Sequence, residues 1–358
     1  MSVASLLKKN KGEGFMDYVS GMVASAKDLP KVELVPISVP LQRRLQTLAC
    51  YFYFSMWLES HLLLAFLATK ATLWPFLLLY FTFIYFDFQY EKGGRWSDWY
   101  RGHIVWTWLA DYFPAKIIKE CDLDSSKKHM FVCHPHGIFA AGALLAFGCE
   151  GLNISKLFPG IRTRILTLNA NFYFPIYREL LLYLGACGPS KESINSIFEQ
   201  GDSVAVVVGG AQESLLALPH TADLILANRK GFVAMAIKNG ASLVPVYSFG
   251  ENELFDQIVP EPDSPVSKFQ KILKKFTGFT LPVYYGRCAF AYNYGLMPRR
   301  SPLNIVIGPP VDTVRTAKPS AEQVDQIHTQ YMDALKDLYE RNKEKYSVGG
   351  VIPELRFH

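Results

Sequence analysis

The clearest hydrophobic pattern in the chain is one long apolar stretch near the N-terminus. Residues 45–86 contain only two charges, Glu59 and Lys70. One membrane span needs about 20 apolar residues, so this stretch is long enough for two helices that turn near 69–72. The second arm is short before Asp87, so a shallow or re-entrant hairpin is an alternative to two full spans. Basic residues flank the stretch on both sides, which predicts that both ends are cytosolic.

This pattern divides the chain into three parts. We predict a cytosolic N-terminal segment at 1–44, a membrane hairpin at 45–88 and a cytosolic, membrane-associated domain at 89–358. A hairpin buried inside the globular domain is the alternative, although core helices are rarely apolar on all faces. Ionisable groups within a membrane segment are costly, and Glu59 and His61 therefore indicate either a functional pair or a local break at the interface.

After residue 129, short β-rich runs alternate with helical periodicity. The runs lie at 130–133, 164–168, 203–208, 243–248, 283–291 and 304–307. Helical spacing is predicted at 137–148, 175–186, 191–200 and 229–239, and a capping box of Ser320 and Gln323 begins an amphipathic C-terminal helix. Apolar strands separated by helices predict an α/β fold, with a mixed sheet that helices flank on both faces.

Composition supports a globular domain with a membrane anchor. Half of the residues are hydrophobic and 14% are aromatic, which is more apolar than an ordinary soluble enzyme, while 19% charged residues argue against a polytopic transporter. The net charge of +5 favours acidic partners such as anionic lipid headgroups or a phosphorylated cofactor. No basic–aromatic nucleic-acid motif occurs. The six cysteines lack metal-ligand spacing and are expected to be reduced thiols facing the cytosol.

Candidate chemistry centres on the sequence HPHG at 134–137. His134 and His136 could share one face of a strand, but no further ligands stand nearby at suitable spacing, so we predict no metal site. A histidine at the point where a strand ends lies at the carboxyl edge of the sheet, where α/β proteins bind ligands, and its neutral form can accept a proton. Gly137 would let a substrate or backbone approach closely. A histidine that only hydrogen-bonds a loop is the structural alternative.

Two downstream segments supply possible companions. In VVVGGAQESL, a valine strand runs into Gly209 and Gly210 and then reaches Glu213, whose carboxylate could orient the imidazole of His134. The alternative for Glu213 is a helix-start residue favoured by the dipole. In NRKGF, Arg229 and Lys230 are either a solvated basic pair or partners for the phosphates of a cofactor. No GxSxG nucleophile elbow and no P-loop occurs.

Together these segments resemble the type 2 diacylglycerol acyltransferase family. The resemblance rests on HPHG, DYFP (111–114), FPGIRTR (158–164), REL (178–180), VVGGAQESL (207–215), NRKGF (228–232), LVPVYSFGENE (243–253) and YYGR (284–287), in order over about 40–310. It implies a glycerolipid-acyltransferase-like fold and an enzyme of the endoplasmic reticulum membrane, with the lipid droplet surface as a further location, that esterifies diacylglycerol with acyl-CoA. The family includes monoacylglycerol and wax-alcohol acyltransferases, so these acceptors remain open, as does a sterol.

The resemblance also implies roles for the candidate residues. His134 is expected to be the general base, and His136 either donates a hydrogen bond or fixes the turn. Backbone N–H groups near Gly137 or Gly209 and Gly210 would stabilise the oxyanion. Arg178, Arg229 and Lys230 are expected to bind the phosphates of coenzyme A. Acyl-CoA is a substrate, and no tightly bound cofactor is expected. The other expected partners are the lipid acceptor and the membrane, and a homo-oligomer remains open.

The sequence departs from the wider glycerolipid acyltransferases at one important position. Their His-x4-Asp motif would place an aspartate five residues after the catalytic histidine, but Phe139 and Ala141 stand there. We therefore take Glu213 as the candidate carboxylate by its position alone. Two alternatives of other kinds remain: a lysophospholipid acyltransferase and a membrane-tethered lipid-binding protein that is not an enzyme.

Overall fold

The computed structural model describes residues 31–261, 264–265, 267–270, 272 and 282–358. The helices are α1 (Leu41–Ala68), α2 (Trp74–Phe86), α3 (Asp98–Arg101), α4 (Ile104–Tyr112), α5 (Ala141–Ala143), α6 (Ile154–Leu157), α7 (Tyr177–Tyr183), α8 (Lys191–Glu199), α9 (Gly210–Glu213), α10 (Gly231–Asn239) and α11 (Ala321–Tyr346). The strands are β1 (Lys116–Lys119), β2 (His129–His134), β3 (Thr163–Ile165), β4 (Ser203–Val207), β5 (Ala222–Leu224), β6 (Ser242–Phe249), β7 (Asp256–Ile258), β8 (Val283–Tyr285), β9 (Asn304–Ile307) and β10 (Leu355–Phe357).

Six strands form one mixed sheet in the order β1-β9-β6-β2-β4-β3. Strands β6, β2, β4 and β3 run parallel, while β9 is antiparallel to β6 and β1 is parallel to β9. The carboxyl ends of β2, β4 and β6 therefore share an edge with the amino ends of β1 and β9. This confirms the predicted α/β class and places the loop after β2 at the centre of that edge.

Helices cover both faces of the sheet, as the continuous apolar strands predict. Alternate residues of β2 point to opposite faces: Phe131 and Cys133 join the core that contains α1 and α4, whereas Met130 and Val132 join the core that contains α8, α10 and α11. Helix α11 begins with the predicted cap, because the Ser320 side chain accepts a hydrogen bond from the Gln323 backbone N–H.

The N-terminal apolar stretch forms a helical hairpin. Helix α1 has 28 residues and α2 has 13, and a 3-10 turn at Ala71–Leu73 joins them, close to the predicted position. No residue of α2 is buried, so the alternative of a hairpin hidden in the domain core is wrong. Helix α1 continues through Glu59 and His61, so a break there is also wrong; Glu59 accepts a hydrogen bond from Ser55 at 2.6 Å.

A buried ion-pair network attaches the base of the hairpin to the domain. Asp87, directly after α2, accepts hydrogen bonds from Arg178 at 2.7 Å and Arg95 at 2.6 Å. Glu179 also pairs with both arginines. Breaking such a network leaves charges buried and unpaired, which is costly, so the network fixes where the hairpin meets the domain.

Some predicted elements differ in the structure. The run at 283–291 keeps only β8, which pairs with β7 outside the main sheet. The helix at 137–148 is a short α-helix followed by a π-helix over Leu144–Gly148. Strand β1 was not predicted, because KIIK is too short to show a period; it forms because β9 offers a parallel partner.

Candidate active site

Three loops meet at the carboxyl edge of the central strands. HPHG begins at the last residue of β2, Glu213 follows β4 and Glu251 follows β6, and these strands are neighbours in the sheet. Parallel strands end at the same edge, so residues far apart in sequence are brought together there. The structure thus joins His134, His136, Gly137 and Glu213, as predicted, and adds Glu251.

His134, the last residue of β2, is sealed inside the protein. Its Nε2 lies 2.9 Å from the Tyr331 hydroxyl of α11, and its Nδ1 is buried with no hydrogen-bond partner among the described residues. Burial lowers the pKa of His134 to about 3. The side chain has no exposed surface, so a substrate hydroxyl cannot reach it in this conformation.

His136 has the more suitable position for proton transfer. Its Nδ1 lies 2.9 Å from the carbonyl oxygen of Gly137, and because a carbonyl oxygen only accepts, Nδ1 must carry the proton. In the neutral ring this leaves Nε2 as the proton acceptor. The side chain is partly exposed, and burial lowers its pKa, so the ring is neutral near pH 7.

Glu213 holds the backbone of this loop and not an imidazole. Its Oε1 accepts the His136 backbone N–H at 2.6 Å, and its Oε2 accepts the Ile225 N–H at 2.7 Å. Gly209 makes room for it, because a Cβ there would lie 2.1 Å from Oε2. The expected contact between Glu213 and the ring of His134 is absent among the described hydrogen bonds, and Glu213 instead positions His136.

Glu251 holds the other end of the same loop. Its two carboxylate oxygens accept the backbone N–H groups of Ala141 at 2.7 Å and Gly142 at 2.8 Å. Gly137 lies against it, since a Cβ there would be 2.6 Å from Glu251 Cγ, and its φ of +58° also favours glycine. Burial raises the pKa of Glu251 to about 7. Sequence reasoning missed this residue, although its carboxylate follows a buried strand just as Glu213 does.

Phe139 stands five residues after His134, where a His-x4-Asp motif would place aspartate, and its ring packs in an apolar cluster. Its ring packs at centroid distances of 5.2 Å from Phe54, 5.4 Å from Phe255 and 5.3 Å from Tyr284. Phe54 belongs to α1, so Phe139 links the histidine loop directly to the N-terminal helical hairpin. Phe139 is 39% exposed, and the cluster therefore forms an apolar surface beside His136.

The predicted phosphate contacts lie in different places. Arg178 is fully buried, and its guanidinium nitrogens bind Phe172, Glu179 and Asp87, so it is a structural residue and cannot reach a phosphate. Arg229 is exposed beside Gln212, at 3.4 Å, and Lys230 pairs with Asp325 at 2.7 Å.

Two further predictions concern Gly210 and a metal. Gly210 has a φ of +61° and begins α9, with open space where a Cβ would lie. Within the described part of the chain, no group of three His, Cys, Asp or Glu side chains is arranged to hold a metal ion.

Comparisons with known proteins agree with these observations. The family model described as diacylglycerol acyltransferase matches residues 64–354. The chain is 42% identical over 336 residues to diacylglycerol O-acyltransferase 2A of Umbelopsis ramanniana, covering 92% of this chain and 94% of that protein. It is 40% identical to 2-acylglycerol O-acyltransferase 1 of Bos taurus, covering 89% and 97%. The solved 1-acyl-sn-glycerophosphate acyltransferase PlsC of Thermotoga maritima matches with a TM-score of 0.39 and 12% identity, covering 84% of this chain and 98% of that chain.

Proposed function

This chain belongs to the diacylglycerol acyltransferase family, and from that premise we propose that it esterifies diacylglycerol with the acyl group of acyl-CoA, using His136 as the general base. The protein is an acyl-CoA acyltransferase, since relatives about 40% identical over most of the chain are enzymes of this kind. Membership of this family argues against the alternative that the protein is a membrane-tethered lipid-binding protein without enzymatic activity.

The assignment of the general base rests on the different burial and hydrogen bonding of the two histidines. His136 is partly exposed, and its Nε2 is in the proton-accepting form because its Nδ1–H is committed to the Gly137 carbonyl oxygen. His134 is buried against Tyr331. We therefore move the role of base, expected for His134, to His136. His134 becomes a core residue that holds the end of β2 against α11.

The chemistry then proceeds by direct transfer. His136 Nε2 removes the proton from the acceptor hydroxyl as that oxygen attacks the thioester carbon. The tetrahedral intermediate collapses to the ester, and the imidazolium returns its proton to the departing coenzyme A thiolate. No covalent acyl-enzyme is needed. The N–H groups of Gly137 and Ile138, which no acceptor among the described residues occupies, are suited to stabilise the oxyanion.

In this proposal the hairpin holds the active site at the membrane that contains the lipid substrates. Two candidate spans are present, but the α-helical part of α2 rises only about 20 Å, less than the bilayer core of about 30 Å. This length favours a hairpin that enters and leaves on the cytosolic face, with both ends cytosolic. The endoplasmic reticulum membrane is the proposed location, because both substrates are amphiphiles or lipids that reside at such a surface.

The test compares the two histidines in purified protein. Oleoyl-CoA and diacylglycerol serve as substrates, and we expect His136→Ala to lower kcat by about 10²- to 10⁴-fold, the usual contribution of a general base, at an unchanged melting temperature. His134→Gln is expected to lower the melting temperature while its folded fraction keeps activity. Turnover of His136→Ala within tenfold of wild type would refute the assignment.

The acceptor is tested separately. Relatives with diacylglycerol and 2-acylglycerol in their names are 42% and 40% identical, so identity alone does not select between them. Wild-type protein with labelled oleoyl-CoA and a panel of mono- and diacylglycerols, fatty alcohols, sterols and lysophospholipids resolves the product class. Exclusive acylation of another acceptor would overturn diacylglycerol.

A further inference from the structure

A cluster of arginines lies at the start of α1, away from the histidines. Arg300 stacks on the ring of Tyr112, with its Cζ 4.3 Å from the centroid, and its Nη2 donates to the backbone carbonyl of Arg43 at 2.9 Å. Arg287 lies 6.0 Å from the same ring and is buried. Two guanidinium groups thus lie against one tyrosine ring, and Arg43, at the start of α1, lines the same cleft.

This cluster lacks negative partners. Within the described part of the chain, no carboxylate lies within 4.0 Å of the guanidinium nitrogens of Arg43, Arg287 or Arg300. Arg300 donates instead to neutral acceptors, Gln46 at 2.7 Å and Thr47 at 3.1 Å. Burial and the neighbouring arginines lower the pKa of Arg300. Partly buried cations without partners are unfavourable, so the cluster is suited to an anion.

A cleft gives such an anion access. It has a volume of about 490 Å³ and is lined by Arg43, Arg300, Gln46 and Tyr112. Among the described residues that line it, Asp111 is the only acidic one. The uncharged acceptors already hold the Arg300 guanidinium in a fixed orientation toward α1. These acceptors take three of its five N–H groups, so its Nε–H and one Nη1–H remain to donate to an anion.

The cleft lies on the same edge of the sheet as His136. Tyr112 precedes β1 and Arg300 precedes β9, and both strands begin at the edge where β2 and β6 end. The eleven residue steps from Arg43 to Phe54 rise roughly 16 Å along α1. Phe54 contacts Phe139, three residues after His136. This rise along α1 is comparable to the length of an extended pantetheine arm.

We propose that this cleft, lined by Arg43 and Arg300 with Arg287 behind Tyr112, binds the phosphates of the acyl donor's coenzyme A. The inference rests on the proposed function. An acyl-CoA keeps its chain in the bilayer and its nucleotide in water, and the cleft lies where the membrane helix meets the cytosolic domain. A thioester at His136 would then place the phosphates one pantetheine length away along α1. We favour coenzyme A over anionic lipid headgroups as the ligand of these arginines, because a headgroup at the bilayer surface could bind them without a cleft.

The experiment compares two donors in purified full-length protein. Oleoyl-CoA carries the phosphates, and oleoyl-pantetheine has the same thioester without them. We expect Arg43→Gln and Arg300→Gln each to raise KM for oleoyl-CoA by ~10-fold at little change in kcat, since one charge-assisted hydrogen bond is lost. KM for oleoyl-pantetheine should not change. Arg43 is exposed, so its variant keeps the test valid if Arg300→Gln fails to fold.

Arg44→Gln is the matched control, because it removes the same charge from the same end of α1 but does not line the cleft. It should leave KM for both donors unchanged. Equal effects of Arg43→Gln on the two donors, or none on either, would overturn the proposal. So would variants that lose only a stimulation by anionic lipid vesicles, which would identify a headgroup site. A wild-type protein without transferase activity would refute the proposed function instead, and calorimetry with coenzyme A alone would still test the cleft.

Discussion

Replacing Glu251 with glutamine is expected to slow acyl transfer, although the residue is not proposed to touch substrate. The carboxylate accepts two backbone N–H groups at 2.7 and 2.8 Å, and both belong to the end of the histidine loop. A glutamine oxygen can accept only one of them, and its NH₂ group would face the other donor. The loop must therefore shift or leave a buried N–H unpaired, which costs about 1–3 kcal/mol.

The size of the effect on the rate follows from this cost. If the displaced loop must return to the native position for reaction, the same energy is added to the barrier, and kcat falls by about 5- to 150-fold. The assay is product formation from oleoyl-CoA and diacylglycerol, with melting temperature measured in parallel. Glu253→Gln is the matched control, because Glu253 lies in the same turn but accepts the N–H of His220. It should stay within twofold of wild type.

The pH dependence separates positioning from a general loss of stability. Burial raises the pKa of Glu251 to about 7, so wild-type protein loses the ionised, doubly accepting carboxylate as the pH falls through that value. The ratio of wild-type to Glu251→Gln activity should therefore be largest near pH 8 and shrink toward pH 6. The protonation of His136 affects both proteins and cancels in the ratio. A ratio that stays constant with pH, or Glu251→Gln activity equal to that of Glu253→Gln, would refute the reasoning.

Three further predictions concern stability. The pKa of His134 is about 3 in the folded protein and near 6.5 in the unfolded chain, so the folded state loses up to ~5 kcal/mol of stability as the pH falls below 6.5. The melting temperature should therefore fall less steeply with decreasing pH in His134→Gln than in wild type. Equal slopes would contradict this. Phe139→Asp restores the His-x4-Asp spacing but places a carboxylate among aromatic rings. We expect the free energy of unfolding to fall by ~2 kcal/mol and the activity not to rise. A higher turnover than wild type would contradict this. Asp87→Asn should cost ~3–5 kcal/mol in denaturant titrations, because Arg178 and Arg95 would then share one carboxylate, Glu179, and leave one buried charge unbalanced. Asp122→Asn, at an exposed pair, should cost under ~1 kcal/mol.

Local patterns were enough to identify most elements. The apolar stretch at 45–86, the apolar strands and the capped C-terminal helix each carry their signal within a short window, because burial and periodicity act on neighbouring residues. The same holds for the position of HPHG at the end of a strand. The short strand β1 carries no such signal, and it exists only because β9 is beside it.

The roles within the site depended on contacts between distant residues. HPHG identifies two histidines, but the contact between His134 and Tyr331, 197 residues apart in the chain, decides which ring is buried. Glu213 was correctly expected near the loop, yet its contact with the His136 backbone depends on the fold of β4 beside β2. The contacts of Glu251 likewise depend on the position of β6 beside β2. The spacing of residues along the chain therefore could not assign a partner to either carboxylate.

The sequence by itself determined the α/β class and the loop that carries the chemistry, because these depend on residue type and on period along the chain. The resemblance to the family rested on the order of motifs such as HPHG, which the sequence also contains. Only the tertiary structure decided which histidine faces solvent, why Phe139 can stand in place of an aspartate, and that Arg178 is structural. Each of these depends on which side chains from remote segments fill the surrounding volume. Burial and hydrogen bonding, and hence protonation, are properties of that packing and not of the local sequence.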